Sequence, residues 1–268
     1  SSDWQFAVLA CSIRTLLGRC SLGSRGTGEP VWPMSYSIVK TLHVVVLAAW
    51  LGMEIAAFIL FSRHRDFDGI PLEGRRALAE VHEPIAFGPR IFWMPMLVLG
   101  VLLTTLGDWA FRGSGGVVLV TGVTGLAVIW LAGQSYIYFA RRSLPRLTSP
   151  LRHLAWIGRV EVVDTWYRVL PVAALGGAGV ASILGSGPID HLWLAWKVTL
   201  FSVLVGVTLV WKRVGRRIAV ERRVAVGLDP GRKPDFALFK KLTYQAQVLL
   251  GFFWALMLAI IWLAIDKP

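Results

Sequence analysis

Six runs of apolar residues, separated by stretches that alternate between dense and sparse in arginine and lysine, set the pattern of this chain. They fall at about residues 36–62, 88–109, 117–139, 155–184, 191–211 and 239–265. Each is about the length a helix rising ~1.5 Å per residue needs to cross a hydrocarbon core of ~30 Å. The first, YSIVKTLHVVVLAAWLGMEIAAFILFS, is interrupted by Lys40, His43 and Glu54. With Leu47 and Trp50 these recur every three or four residues and so share one helix face. A titratable face is costly in lipid, so this one should point into the protein, with the other spans packed around it. The pattern predicts an all-α, polytopic membrane protein: six transmembrane helices in one bundle over 34–268, after a loose segment at 1–33.

The second run carries Pro89 and Pro95, which should kink it or loosen its first turns. The charged stretch before it, 63–84, reads as a partly helical connector. The first half of the fourth run holds Arg159, Glu161, Asp164 and Arg168. That half must be buried in protein or lie at the interface, most simply as a structural charge network. Its second half, LPVAALGGAGVASILG, is rich in small residues that allow close helix approach.

Composition supports the membrane reading. Of 268 residues 55% are hydrophobic and only 16% charged, against roughly 25% charged in a soluble domain, and mean hydropathy is +0.60. Thirteen tryptophans suit a chain with two membrane–water interfaces. The net charge of +12 does not point to nucleic acid, because the basic residues lie between apolar spans, where they fix topology. The connectors 63–90, 141–159 and 212–241 hold five, five and ten of them, whereas 107–115, 185–191 and 266–268 hold one, none and one. By the positive-inside rule the first three face the cytoplasm and both termini face outside. The expected location is a bacterial inner membrane. The longest basic connector could attract anionic lipid, although enforcing topology suffices to explain it.

Residues 1–33 contain an apolar stretch too short to span and a Gly/Ser/Pro-rich linker, with no signal-peptide cleavage pattern, and Met34 is a candidate start. Both cysteines, Cys11 and Cys20, lie there, and no Cys/His cluster suggests structural zinc.

Candidate chemistry rests on ionisable groups at matching depth. His43 lies ~10 Å inside the outer end of span one and Lys197 ~9–12 Å inside that of span five, with His191 at the mouth. These three are the expected cofactor site, with Trp50 on the His43 face. Glu54, near the inner end of span one, is expected to form an ion pair with Arg90. His82 and His153 sit at cytoplasmic helix ends, at a common depth that two axial imidazoles of a haem would need. Met53, Met94 and Met96 offer thioethers to copper, though methionine is also ordinary packing.

Three stretches resemble one family. KTLHVVVLAAWLG is similar to the first-helix motif of CopD/HemJ-like bacterial membrane proteins, a group with copper-resistance D permeases, HemJ-type protoporphyrinogen oxidases and uncharacterised relatives. HLWLAWKVTLFSVLVG resembles their W-L-x-x-K-L helix, and FFWALMLAIIWLAIDKP their last helix. The resemblance covers less than half of the chain. It matches His43 to the family's first-helix histidine and Lys197 to its later-helix lysine, positions associated with haem or porphyrin chemistry. The chain departs from HemJ-type proteins in having six spans rather than four, and GPRIFWMP where they carry an Asn-Pro signature.

Three functions follow as expectations. The first is a haem b- or porphyrin-binding membrane protein in electron transfer, with His43 as metal ligand and Lys197 as its polar partner. The second is a non-catalytic accessory subunit of a larger membrane complex, docking through the small-residue face of span four. The third is a copper permease.

Overall fold

The computed structural model describes residues 34–107, 109–110, 114–143, 150–229 and 231–265. The side chains at 114, 141–143 and 150–158 lie outside this description, as do the 1–33 segment and the side chain of His153.

Six long helices make up the described chain: α1 (Met34–Arg63), α2 (Leu72–Leu106), α3 (Ser114–Ser143), α4 (Pro150–Ile183), α5 (Leu192–Ala225) and α6 (Phe236–Ile265). A 3-10 turn, His64–Gly69, follows α1. All six are long and apolar enough to cross a membrane. The fold is the all-α bundle that the sequence pattern predicts. α1 packs chiefly along α2, α4 along α5, and α5 along α6, with α3 set between α2 and α4.

Two boundaries differ from the sequence reading. α2 begins at Leu72, so the supposed connector is mostly helix, and it runs unbroken through Pro84, Pro89 and Pro95. Pro89 is buried beside Gly88, whose missing Cβ leaves room for the Met53 side chain of α1. Packing against α1 thus helps hold a backbone that proline would otherwise weaken. α5 continues past Trp211 for four more turns because the basic stretch is amphipathic: Ile218, Glu221, Val224 and Ala225 are buried while Arg213, Arg216 and Arg217 are exposed. It ends in a Schellman motif, with Gly227 at φ +73° and the Leu228 N–H bonded to the Arg223 carbonyl at 2.9 Å. Arg75 and Arg76 of α2 donate to the Ala225 and Val226 carbonyls at 2.7 and 2.9 Å, capping the last turn.

The interior holds one central cluster, in which Trp50, Trp93, Trp130, Leu204 and Phe253 bring five helices together. The outside is the reverse of a soluble protein: Ile129, Trp166, Leu258 and Trp262 are each more than 60% exposed, spread over α3, α4 and α6. Such a girdle is explained by lipid. The two ends differ in charge. The end carrying residues 64–71 and 226–235 is here called the basic face, and the end carrying 107–110 and 184–191 the charge-poor face. On the latter, Ala110 and Ile189 form an isolated antiparallel bridge, and an aromatic run of Tyr36, Trp109 and Trp193 joins the start of α1 to the start of α5, with ring centroids 5.9 and 5.2 Å apart.

Candidate functional site

Among the described residues, three polar loci are embedded in the bundle. The first is on the charge-poor half. His43 is half-buried, about two and a half turns into α1, and faces α2 where Gly100 presents no side chain; a Cβ there would lie 3.7 Å from His43 Cε1. Lys197 of α5, half-buried, lies within electrostatic reach of the imidazole. His43 Nδ1 is fully enclosed and has no hydrogen-bond partner. A buried polar nitrogen without a partner costs roughly 1–3 kcal/mol.

The other residues expected here are placed differently. His191 is exposed at the N-terminus of α5, where its carbonyl accepts from the Leu194 and Ala195 N–H groups at 3.0 Å. Its ring lies 6.4 Å from that of Trp193, and among the described residues no contact joins it to His43. Trp50 is 3% exposed and packs edge-on to Phe253 at 6.0 Å, about 10 Å along α1 from His43. It belongs to the central cluster, one helical turn from Glu54, on whose carboxylate its indole acts. Glu54 is half-buried and feels the charge of Arg90. Arg90 itself is exposed.

The second locus is the charge network expected on α4, and it is larger than the sequence implied. Asp164, 7% exposed, accepts hydrogen bonds from Trp130 Nε1 at 2.8 Å and Gln134 Nε2 at 2.9 Å, both on α3. It also pairs with Arg168 at 3.3 Å and with Lys212 of α5 at 2.8 Å. The Lys212 ammonium spends its three donors on the Glu161 carbonyl, Asp164 Oδ2 and Thr165 Oγ1, at 2.7, 2.8 and 2.8 Å. Arg168 donates to Thr208 at 3.0 Å and lies over the Trp93 and Trp130 rings, 5.6 Å from each centroid. With its bonding capacity so fully used, the locus reads as a clamp on α3, α4 and α5 rather than a reactive site. Sequence reasoning assigned Lys212 to the topology-setting connector; only the fold shows its side chain turned into the bundle.

The third locus, at the basic face, joins His82, which the sequence offered with His153, to His64, which sequence reasoning missed. His64 and His82 are 1% and 9% exposed, their rings edge to face at 4.9 Å. Phe61, Phe67 and Phe239 surround His64. Its Nδ1 lies 3.3 Å from the Phe61 carbonyl and its Nε2 has no partner. Arg222 Nη1 is 3.2 Å from His82 Nδ1; a guanidinium only donates, so this imidazole nitrogen accepts. Lying within Arg-His-Arg just after an apolar span, His64 reads as part of a solvated charge run. The 3-10 turn folds it inward instead. The pair is too close, and wrongly angled, to admit a porphyrin between its rings, and the adjacent guanidinium opposes a metal cation.

The thioethers have structural roles. Met94 and Met96 are buried in the central cluster, and Met53 fills the space over Gly88. Among the described residues no group of three or more His, Cys, Asp or Glu is placed to hold a metal ion. The small-residue face of α4 is occupied within the chain: a Cβ at Gly176 would meet Ser202 of α5, and one at Gly179 would meet Thr199 and the Ala195 carbonyl, while Gly177 alone faces open space. No family model, curated protein or solved structure matches this chain.

Proposed function

We propose that this is a multi-pass bacterial inner-membrane protein that holds a haem or porphyrin at the His43–Lys197 locus and serves in redox chemistry. The observation that carries the reading is the enclosed, unpartnered Nδ1 of His43 beside Lys197. His43 would hold the iron through its imidazole, and Lys197 would pair its ammonium with a propionate. When bound, the iron supplies one-electron chemistry. The chain's own residues do the rest: His43 binds and orients, Lys197 neutralises carboxylate charge, and the Tyr36–Trp109–Trp193 run covers the charge-poor end. The resemblance of the first and fifth spans to CopD/HemJ-like proteins supports the same two residues.

The test is the visible absorption spectrum of the purified protein, with variants. A Soret band is expected in the wild type, lost in His43→Ala and weakened less in Lys197→Met, since a propionate can find water at the mouth. A wild-type protein without that band, even after incubation with haemin, overturns the reading. Stoichiometric copper would instead favour a copper permease. Colourless protein that co-purifies with membrane partners would favour the accessory subunit, docking through a face other than Gly176 and Gly179.

A further inference from the structure

At the basic face, α5 and α6 leave an open groove of about 370 Å³ lined by Arg213, Val214 and Arg217 of α5 and Leu242 and Gln245 of α6. Arg213 and Arg217 are exposed and stand four residues apart, so both guanidiniums project from one helix face on successive turns. Among the described residues neither has an ion-pair or hydrogen-bond partner. Two like charges so placed repel unless an anion bridges them. The nearby carboxylate of Glu221 is not available for this, because it pairs with Arg232. The stretch 212–241 holds ten basic residues against three acidic ones, so the local field favours an anion throughout.

The groove is also at the right height. The apolar part of α5 ends at Trp211, about 30 Å along the helix from Leu192, and Arg213 and Arg217 follow within the next ~10 Å. Measured from the other end, Gln245 and Leu242 lie about 30–35 Å along α6 from Ile265. Both helices therefore bring the groove to the headgroup layer, just outside the hydrocarbon core. The composition of the lining matches that layer: two guanidiniums and an amide for phosphate oxygens, over an apolar floor of Val214 and buried Leu242. Tyr244, 61% exposed, adds an aromatic side chain at the same level.

We propose that this groove is a specific binding site for the phosphodiester headgroup of an anionic glycerophospholipid. Arg213 and Arg217 bridge the phosphate, Gln245 donates a further hydrogen bond, and the glycerol end rests on Val214 and Leu242. A guanidinium pair suits this role better than two ammonium groups, because each presents a planar fork to the phosphate oxygens.

Native mass spectrometry of the full-length protein in mild detergent, titrated with phosphatidylglycerol or phosphatidylcholine, tests the proposal. The wild type should retain phosphatidylglycerol in preference to phosphatidylcholine. Arg213→Gln combined with Arg217→Gln should weaken phosphatidylglycerol binding on the order of tenfold to thirtyfold, given the typical effect of a basic residue near a membrane surface. The control, Arg223→Gln with Lys233→Gln, removes the same charge from the same connector and should leave binding within about twofold. Equal losses in the two double variants, or no loss in the first, would overturn the proposal. So would displacement of the lipid by inorganic phosphate at equal concentration, which would mark a site for free anions. All four positions are exposed, so the variants should unfold at the wild-type temperature, and Arg213→Lys with Arg217→Lys separates fork geometry from charge by binding at an intermediate level.

Discussion

Lys212 of α5 and Asp164 of α4 meet at 2.8 Å in the interior of the bundle, and each spends its remaining hydrogen-bonding capacity on neighbouring groups. A buried pair of this kind is weak evidence of net stabilisation, but breaking it strands the other charge, at a cost of about 3–5 kcal/mol. Asp164→Asn should therefore lower the unfolding temperature in detergent sharply, with both Lys212 and Arg168 left uncompensated. Adding Lys212→Met should restore part of the loss, which a double-mutant cycle on thermal unfolding would measure. Strict additivity of the two losses would show that the pair does not act together.

Gly179 and Gly177 form a matched test of the α4–α5 contact. At Gly179 a Cβ would face the Ala195 carbonyl and the Thr199 backbone nitrogen at 3.0 and 3.1 Å, neither of which can turn away. We expect Gly179→Ala to cost about 1–3 kcal/mol through overpacking. Gly177→Ala, in open space, should be neutral or mildly stabilising, as alanine is the better helix former. Thermal unfolding of the two variants side by side checks this.

Glu54 is half-buried and feels the charge of exposed Arg90, so the two should show a measurable coupling, on the order of 1 kcal/mol. The quantity to measure is the interaction energy from Glu54→Gln, Arg90→Gln and the double variant. A coupling of several kcal/mol would mean that the two side chains close to direct contact in the bilayer.

For His64, replacement by phenylalanine separates packing from chemistry. The ring already sits among Phe61, Phe67 and Phe239, and its Nε2 is buried without a partner. Removing an unsatisfied buried nitrogen while keeping a planar aromatic side chain should leave stability within about 1 kcal/mol of wild type. If His64→Phe folds normally yet abolishes a redox or transport activity, the nitrogen has a chemical role.

Topology is best probed at Leu184 and Leu228, which are 76% and 63% exposed on opposite faces. The neighbouring glycines are poor sites: Gly227 has positive φ, and a side chain at Gly187 would strike the Ser182 backbone. From the distribution of basic residues we expect a membrane-impermeant thiol reagent to label Leu184→Cys, but not Leu228→Cys, in intact cells. The reverse pattern would invert the assigned orientation.

The sequence by itself determined the class of fold and the number of helices. Twenty-odd apolar residues between basic clusters leave the backbone few options in lipid, since each N–H and C=O must be satisfied within its own segment. It also marked His43 and Lys197, because an ionisable group inside an apolar run stands out in one dimension. What lay outside its reach was every decision that depends on a second helix. The burial of His64 behind an arginine, the inward turn of Lys212, the continuation of α2 through three prolines, and the closure of the Gly176–Gly179 face by α5 all arise from contacts between distant segments. A lysine or histidine at the end of a span looks the same whether it meets water or another helix. Only the tertiary packing fixes which polar groups have partners, and so which are left open to a ligand.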